Sequence, residues 1–463
     1  MRKTISAGAQ VSRAREDLPP AMPRSIDIGN ILDEGEWSIY QKGVLLLISL
    51  VILLDGFDTQ TLTLALPAIT REWNVGRAVF GPLLAVSYVS MAAGTAMGGL
   101  IGDRFGRRRA LLLSVAIFGV GTVAGSFAHG VFSLGLTRVV AAVGLGAAMP
   151  NATAMATEFT PRRHRNIAVG VAMGSVALGG FVGGAFAAYI LPLSGWRELF
   201  LWSGLIPLCG GLLLLFLLPE SPRYLLNRGG SAAQLTAILR RISPSVRTAD
   251  GFSDRSDPPG RKASLTELFI PGHRRDTLAL AGAFFLVIFA NLFVLSWAPS
   301  LLADLGYGLG ITSAGAATFS IGGLLGAIAG AFLITRIGSR LGLPLMMAGA
   351  AATALLLAFL PLRSGHADPR LLSALLLVGG VFIPGTQVLL FSLAGQAYPT
   401  AIRATGVGFA AAVGRMGAVT SALVGPLLLL GGQGAFFVSV AAAMLLSAVC
   451  VMAVRTHIQA QAL

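Results

Sequence analysis

Twelve apolar runs, each of about 17–28 residues, constrain this chain more than any other feature. They fall at about 44–69, 80–102, 109–128, 131–156, 166–193, 197–218, 277–302, 311–335, 342–362, 370–396, 403–430 and 434–454. About 20 predominantly apolar residues cross a bilayer as a helix, and a lipid-exposed backbone has to satisfy its own hydrogen bonds. Composition agrees. The chain is 55% hydrophobic and 12% charged with a mean hydropathy of +0.77, whereas a soluble chain carries roughly twice that charge. The 59 glycines among 463 residues suit close helix contact in lipid. The expected fold is an all-α polytopic membrane protein of twelve transmembrane helices.

A polar stretch, 219–276, separates the sixth run from the seventh, with a break at Asp257-Pro258-Pro259-Gly260 and a short interfacial helix expected at 264–269. The expected organisation is an N-terminal tail (1–43), a six-helix bundle (44–218), the linker (219–276), a second six-helix bundle (277–454) and a short tail (455–463). With both termini on one side, that side holds 27 of the 34 basic residues and the other holds 5, which makes it cytoplasmic. The net charge of +14 is then a positive-inside signature, and the absence of a basic soluble domain excludes nucleic acid as a partner. The tail before Val44 lacks a short apolar core with a small-residue cleavage site, so the first helix stays in the protein. Cys209 and Cys450 sit in apolar runs and form no disulfide framework.

The halves echo each other. Gly98, Arg104, Gly106 and Arg108 of GGLIGDRFGRRR fall on Gly330, Arg336, Gly338 and Arg340 of GAFLITRIGSRL, an offset of 232. Glu158, Pro161, Arg165 and Gly170 fall on Gln396, Pro399, Arg403 and Gly408, an offset of 238. Two matches at nearly one offset indicate a duplicated six-helix unit, and such repeats place a substrate site at their interface near the midplane.

Charged residues inside the spans mark candidate chemistry, because an ionised group in hydrocarbon costs about 2.5–3.5 kcal/mol on insertion scales. Asp55 and Asp58 lie three apart on one face of the first span and are candidates for proton coupling; Gly56 between them admits a neighbouring backbone. Arg138 and Arg415 each require an acid or a bound anion. Arg138 suits a salt bridge with a span-one acid or an anionic substrate, and mid-depth Arg415 in the other half suits the substrate better, since a guanidinium holds carboxylate through two bonds. Asn291 and Gln387 are candidates to bond a ring hydroxyl, and Phe57, Phe289, Phe293, Trp297 and Phe391 are candidate aromatic walls or core. Asp103, Arg104, Gly106 and Arg108 form a candidate gating latch, with Arg336 and Arg403 in the second half and Glu158 as a gate carboxylate beside Arg162, Arg163 and Arg165. The second copy has Thr335 in place of the aspartate. The glycines at 170, 174, 179, 180, 183 and 184 form a packing face. No histidine has metal-ligand spacing and no phosphate-binding loop is present, so neither a metal, nor a cofactor, nor ATP, nor enzymatic machinery is expected.

GDRFGRRR, its echo TRIGSR, the twelve spans and Pro219-Glu220-Ser221-Pro222-Arg223 resemble the major facilitator superfamily over nearly the whole chain. Asp55-Gly56-Phe57-Asp58, the stretch Gly146-Ala147-Ala148-Met149-Pro150-Asn151-Ala152 and the stretch from Tyr398 to Gly406 resemble its aromatic acid:proton symporter family. The resemblance implies two six-helix pseudo-repeats in the major facilitator fold and import of a benzoate- or hydroxybenzoate-like acid with protons by alternating access. The proton gradient would be the driving force, the bilayer and the small acid the partners, the inner membrane the location and the monomer the working unit. A sugar or polyol symporter is the alternative, against which span seven (Phe284 to Trp297) lacks paired glutamines. A non-transporting sensor would carry a signalling domain that the short tail after Arg455 lacks. An efflux antiporter also fits, since direction is not written in a fold.

Overall fold

The first helix begins where the sequence supplies a cap. In this computed structural model, Ser38 Oγ accepts from the Gln41 N–H at 3.2 Å, and the Ser38 N–H donates to Gln41 Oε1 at 2.9 Å. The structure describes residues 25–227, 232–243, 251–254, 265–362, 368–398 and 402–460. The linker break at 257–260, the loop residues 399–401 and the side chain of Arg403 lie outside the described residues.

The N-terminal half contains α1 (Ile39–Thr59), α2 (Thr61–Trp73), α3 (Phe80–Phe105), α4 (Arg107–Ser126), α5 (Val131–Glu158) and α6 (Arg165–Leu217). After two short helices, α7 (Pro222–Asn227) and α8 (Ala232–Ile242), the second half contains α9 (Arg274–Asp304), α10 (Leu309–Ile337), α11 (Ser339–Phe359), α12 (Pro369–Ala397), α13 (Arg403–Leu430) and α14 (Gly432–Ala453).

Among the described residues eleven continuous helical stretches are long and apolar enough to cross a membrane. One, Arg162–Leu217, has 56 residues, far more than the ~20 that one crossing needs. It breaks at Gly195, where φ is +82°, a conformation that only glycine adopts without strain. Its two parts cross separately, and the total is twelve.

Three details differ from the sequence reading. The first span is not one helix: α1 and α2 meet at Gln60. There the Thr59 and Thr63 hydroxyls donate to the carbonyls of Asp55 and Gln60, and Pro67 removes an N–H one turn later. The span expected at 342–362 begins at Ser339, directly after the turn residue Gly338, and ends at Phe359. The expected interfacial helix is a single 3₁₀ turn, Leu265–Phe269.

The duplication is visible in the backbone. Gly106 (φ +105°) joins α3 to α4 and Gly338 (φ +78°) joins α10 to α11, each with its N–H bonded to a carbonyl four residues earlier. Within a half, small residues set helix spacing. A Cβ on Gly56 would overlap the carbonyl of Val176 on α6, so α1 and the first part of α6 touch backbone to backbone.

Both described ends of the chain lie at one end of the bundle, called proximal below. Strand β1 (Ser25–Asp27) pairs in parallel with β2 (Gly251–Ser253) of the linker. Beside it Ile28, Leu32, Leu235, Leu239 and Ile242 bury a small apolar cluster. The C-terminal tail docks on the second half: Asp276 accepts from the Arg455 N–H at 2.9 Å, and Ser339 and Ile458 exchange two hydrogen bonds of 2.8 and 2.9 Å.

Candidate functional site

The first span brings two carboxylates into the interior of the N-terminal half. Asp55 and Asp58 are both buried. Asp58 Oδ2 lies 3.5 Å from Arg138 Nη1 on α5, and that arginine is 4% exposed. Its guanidinium also faces the Phe200 ring at 6.0 Å. Of the two expectations for Arg138, the salt bridge with a span-one acid is the one whose partner, Asp58, is in place. Asp55 differs in having no ion pair within 4 Å among the described residues; its buried Oδ1, like both oxygens of Asp58, has no hydrogen-bond partner there.

Among the described residues the second half holds no such acid at this depth. Instead Asn291 Nδ2 of α9 donates to Gln387 Oε1 of α12 at 2.6 Å, both side chains half-buried. Arg415 lies twelve residues after the start of α13, half-buried, with Nη2 3.4 Å from Thr95 Oγ1 on α3 of the other half. Among the described residues it forms no ion pair within 4 Å.

Of the candidate wall aromatics, Phe293 and Trp297 are fully buried in the core of the second half. Phe293 stacks on Phe436 at 4.3 Å and Trp297 Nε1 donates to the Ser421 carbonyl at 3.2 Å. Phe289 stacks on Phe293, Phe391 meets Phe284 edge-on, and Phe57 packs against Phe186 on α6.

At the proximal end the candidate latch residues meet partners within their own half. Asp103, 71% exposed, pairs with Arg107 at 2.7 Å one turn on. Glu158 is not held by the basic cluster at 162–165. It lies 3.4 Å from Arg107 Nε and accepts from the Ser221 hydroxyl, because α5 ends facing the α3–α4 turn and the Glu220–Ser221 segment. Arg165 instead turns to Asp33, which also accepts from Arg223 at 2.8 Å. The carboxylate that holds the turn is Glu220: its Oε1 accepts from the Arg108 N–H at 3.1 Å and the Ser221 N–H at 3.0 Å, beside Gly106. Arg108 reaches the Leu215 carbonyl, and Arg104 and Arg336 lie over Phe105 and Phe332.

Sequence reasoning did not assign roles to the polar groups that join the halves. Gln60 Nε2 donates to Ser320 Oγ at 2.7 Å, Tyr88 and Ser296 share a hydrogen bond of 2.8 Å, and Arg77 pairs with Asp304. All lie from mid-depth toward the distal end. Isolated polar residues in apolar spans were the available signal; their partners are more than 200 positions away and carry no local pattern.

Paired six-helix halves, a carboxyl group buried without an ion partner among the described residues and polar contacts between halves at mid-depth fit a membrane transporter built by duplication. The Major Facilitator Superfamily family model matches residues 48–367, and the chain belongs to that family. It is 32% identical over 421 residues to the gallate transporter of Pseudomonas putida, covering 90% of this chain and 92% of that one. To the 4-hydroxybenzoate transporter PcaK of Pseudomonas aeruginosa it is 33% identical over 433 residues, covering 93% and 94%. Among solved structures it resembles the inward-open xylose transporter XylE of E. coli in fold, with a TM-score of 0.69 at 19% identity, over 90% of this chain and 97% of that one.

Proposed function

We propose that the protein is a proton-coupled symporter that imports a small aromatic carboxylate by alternating access, with both termini in the cytoplasm of a bacterial inner membrane. The observation that carries this is the asymmetry of charge at mid-depth. Among the described residues one half buries Asp55 without an ion partner, one turn from the Asp58–Arg138 pair, and the other half offers Arg415 without one. The names of the relatives, gallate and 4-hydroxybenzoate transporters, fit a substrate with one carboxylate and one ring.

In this cycle Arg415 holds the substrate carboxylate through two parallel bonds, which pulls the second half toward the first. Asp55 carries the proton, because a protonated carboxyl crosses an apolar barrier at less cost than a carboxylate. Asp58 stays paired with Arg138 and keeps that guanidinium from competing for the anion. The halves, 44–218 and 277–454, then rock about the interface where α6 meets α10. There a Cβ on Gly184 would overlap Ala317, so small residues let the helices slide. The Gly102–Arg109 turn, Glu158 and the Arg336 copy gate the cytoplasmic side.

Counterflow in proteoliposomes tests the assignment. Wild type is expected to exchange benzoate and hydroxybenzoates and to ignore xylose. Arg415→Lys should lose nearly as much binding as Arg415→Ala, on the order of 2–5 kcal/mol, since an ammonium does not reproduce the fork. Full binding of the acids by Arg415→Gln would remove this residue from the site.

A further inference from the structure

We propose that the proximal end of the second half carries a binding site for the headgroup phosphate of an anionic phospholipid, formed by Arg275, Arg340 and Arg455 around the docked C-terminal tail. The proposal needs only that the chain crosses a bilayer, and it holds whatever the transported substrate is.

Charge at this end is handled differently in the two halves. On the first half's side carboxylates hold Arg107, Arg165 and Arg223. In the second half Arg274, Arg275, Arg336, Arg340 and Arg455 are exposed, and among the described residues none of them lies within 4 Å of a carboxylate. The stretches that carry them, 265–279, 333–343 and 450–460, contain two acids, Glu267 and Asp276. Asp276 is buried and turned to the tail, where it accepts from the Arg455 N–H at 2.9 Å. Two acids offset two of the five guanidiniums and leave three positive charges in these stretches without a counter-charge.

The tail gathers three of these arginines. It leaves α14 at Ala453, whose carbonyl accepts from Arg275 Nε of α9 at 2.8 Å. Two residues on, Arg455 is fixed to α9 through Asp276. The tail then reaches α11, where Ile458 and His457 meet Ser339. Arg340 is the next residue on α11 and lies within electrostatic reach of His457. Arg275, Arg455 and Arg340 thus stand in a row across the foot of α14, from α9 to α11. Packed helix axes lie about 8–10 Å apart, so neighbouring members of the row are about one helix spacing apart. Guanidiniums bind phosphate oxygens through charge-assisted hydrogen bonds.

The side chains one turn deeper say which anion. Leu278 of α9, Leu341 and Leu345 of α11, and Val449 and Met452 of α14 are exposed large apolar residues. They form a wall for acyl chains directly beyond the arginine row. The seam between α9 and α14 starts there: a Cβ on Gly282 would meet Cys450 Sγ at 3.2 Å, so the two helices abut. A phosphate diester whose chains run along that seam answers both the guanidiniums and the apolar surface. A free phosphate answers only the guanidiniums. A choline headgroup brings its own cation against the arginines.

Lipid retention by the detergent-solubilised protein, counted by native mass spectrometry, tests the proposal. Wild type should retain phosphatidylglycerol at concentrations about tenfold or more below those needed for phosphatidylcholine with the same acyl chains, since each arginine at a membrane surface is worth about fivefold. The Arg340 side chain has no hydrogen bond or ion pair among the described residues, so Arg340→Gln disturbs little else. That variant should weaken phosphatidylglycerol retention about fivefold. Arg275→Gln, Arg340→Gln and Arg455→Gln together should bring it to the phosphatidylcholine level, and lysine at the same three positions should keep most of it. Arg109, Arg162 and Arg163 are exposed at the same end of the first half, and changing all three to Gln should leave retention within about twofold. Equal retention of the two lipids by wild type overturns the proposal. So does an equal loss in the first-half variant, which would make the effect one of overall charge. Displacement of phosphatidylglycerol by inorganic phosphate at an equal concentration also overturns it, because the site would then take a free anion.

Discussion

Asp58 and Asp55 are one helical turn apart and have different physical situations. Asp58 and Arg138 lie 3.5 Å apart at 0% and 4% side-chain exposure, so each compensates a charge that would otherwise be stranded. Removing one partner of a buried pair costs about 3–5 kcal/mol, whereas replacing both by neutral groups of similar size costs little. Asp58→Asn should therefore lower the heat resistance of the purified protein markedly, and Asp58→Asn with Arg138→Gln should restore most of it, measured as the monodisperse fraction surviving a temperature series. Asp55 holds no such partner among the described residues. Asp55→Asn should survive heating like wild type and retain counterflow, yet lose uphill accumulation driven by an imposed pH gradient. Acid-driven accumulation at the wild-type level in that variant would take Asp55 out of the coupling step.

At the scale of an element, the α3–α4 turn shows which acid matters. The exposed Asp103–Arg107 pair is of a kind that contributes at most about 0.5 kcal/mol. Glu220 bonds two backbone N–H groups at the start of α4 and at Ser221, where charge-assisted bonds are roughly twice as strong as neutral ones. Glu220→Gln should slow transport and raise protease sensitivity around Gly106 more than Asp103→Asn does; the reverse order would return the role to Asp103. The C-terminal tail makes a pH-dependent counterpart in the other half. His457 Nδ1 is 3.2 Å from Ser339 Oγ and its Nε2 3.0 Å from the Val454 carbonyl. Burial lowers its pKa from the ordinary 6.5, Arg340 lowers it further, and the Val454 carbonyl and Asp276 oppose them. A histidine with a lowered folded pKa stabilises its site fully above the unfolded value and loses that contribution as pH falls through the folded one. Amide hydrogen exchange at 454–458, corrected for its intrinsic rate, should thus lose protection between about pH 6.5 and lower values, and His457→Ala should flatten the dependence.

For the whole molecule, the polar contacts between halves from mid-depth to the distal end describe one state of a rocking pair. Arg77–Asp304, Tyr88–Ser296 and Gln60–Ser320 hold that end together. Under the proposed orientation, with the termini in the cytoplasm, this is the state closed to the outside. Arg77→Glu places two acids against each other at the rim and should shift the population outward. In a Cys209→Ser, Cys450→Ser background carrying Ser320→Cys, an impermeant maleimide added outside should label several-fold faster with Arg77→Glu than without it. Adding Asp304→Arg should reverse the gain. Unchanged labelling would mean that this ion pair contributes nothing to the closed end.

The sequence by itself determined the twelve crossings, their order and the duplication, because hydropathy, helix length and the positive-φ glycines at 106 and 338 are local properties that lipid enforces on each segment separately. It also marked Asp55, Asp58, Arg138, Arg415, Asn291 and Gln387, since a polar group in hydrocarbon is conspicuous wherever it points. Pairing was left to the tertiary structure. Asp58 meets Arg138 across 80 positions, Asn291 meets Gln387 across 96 and Gln60 meets Ser320 across 260. Helical periodicity says which face a residue is on and nothing about which helix that face touches. The close approach that chooses the partner is set by the summed packing of small residues such as Gly56 against Val176 and Gly184 against Ala317, and that packing exists only when all twelve helices are in place.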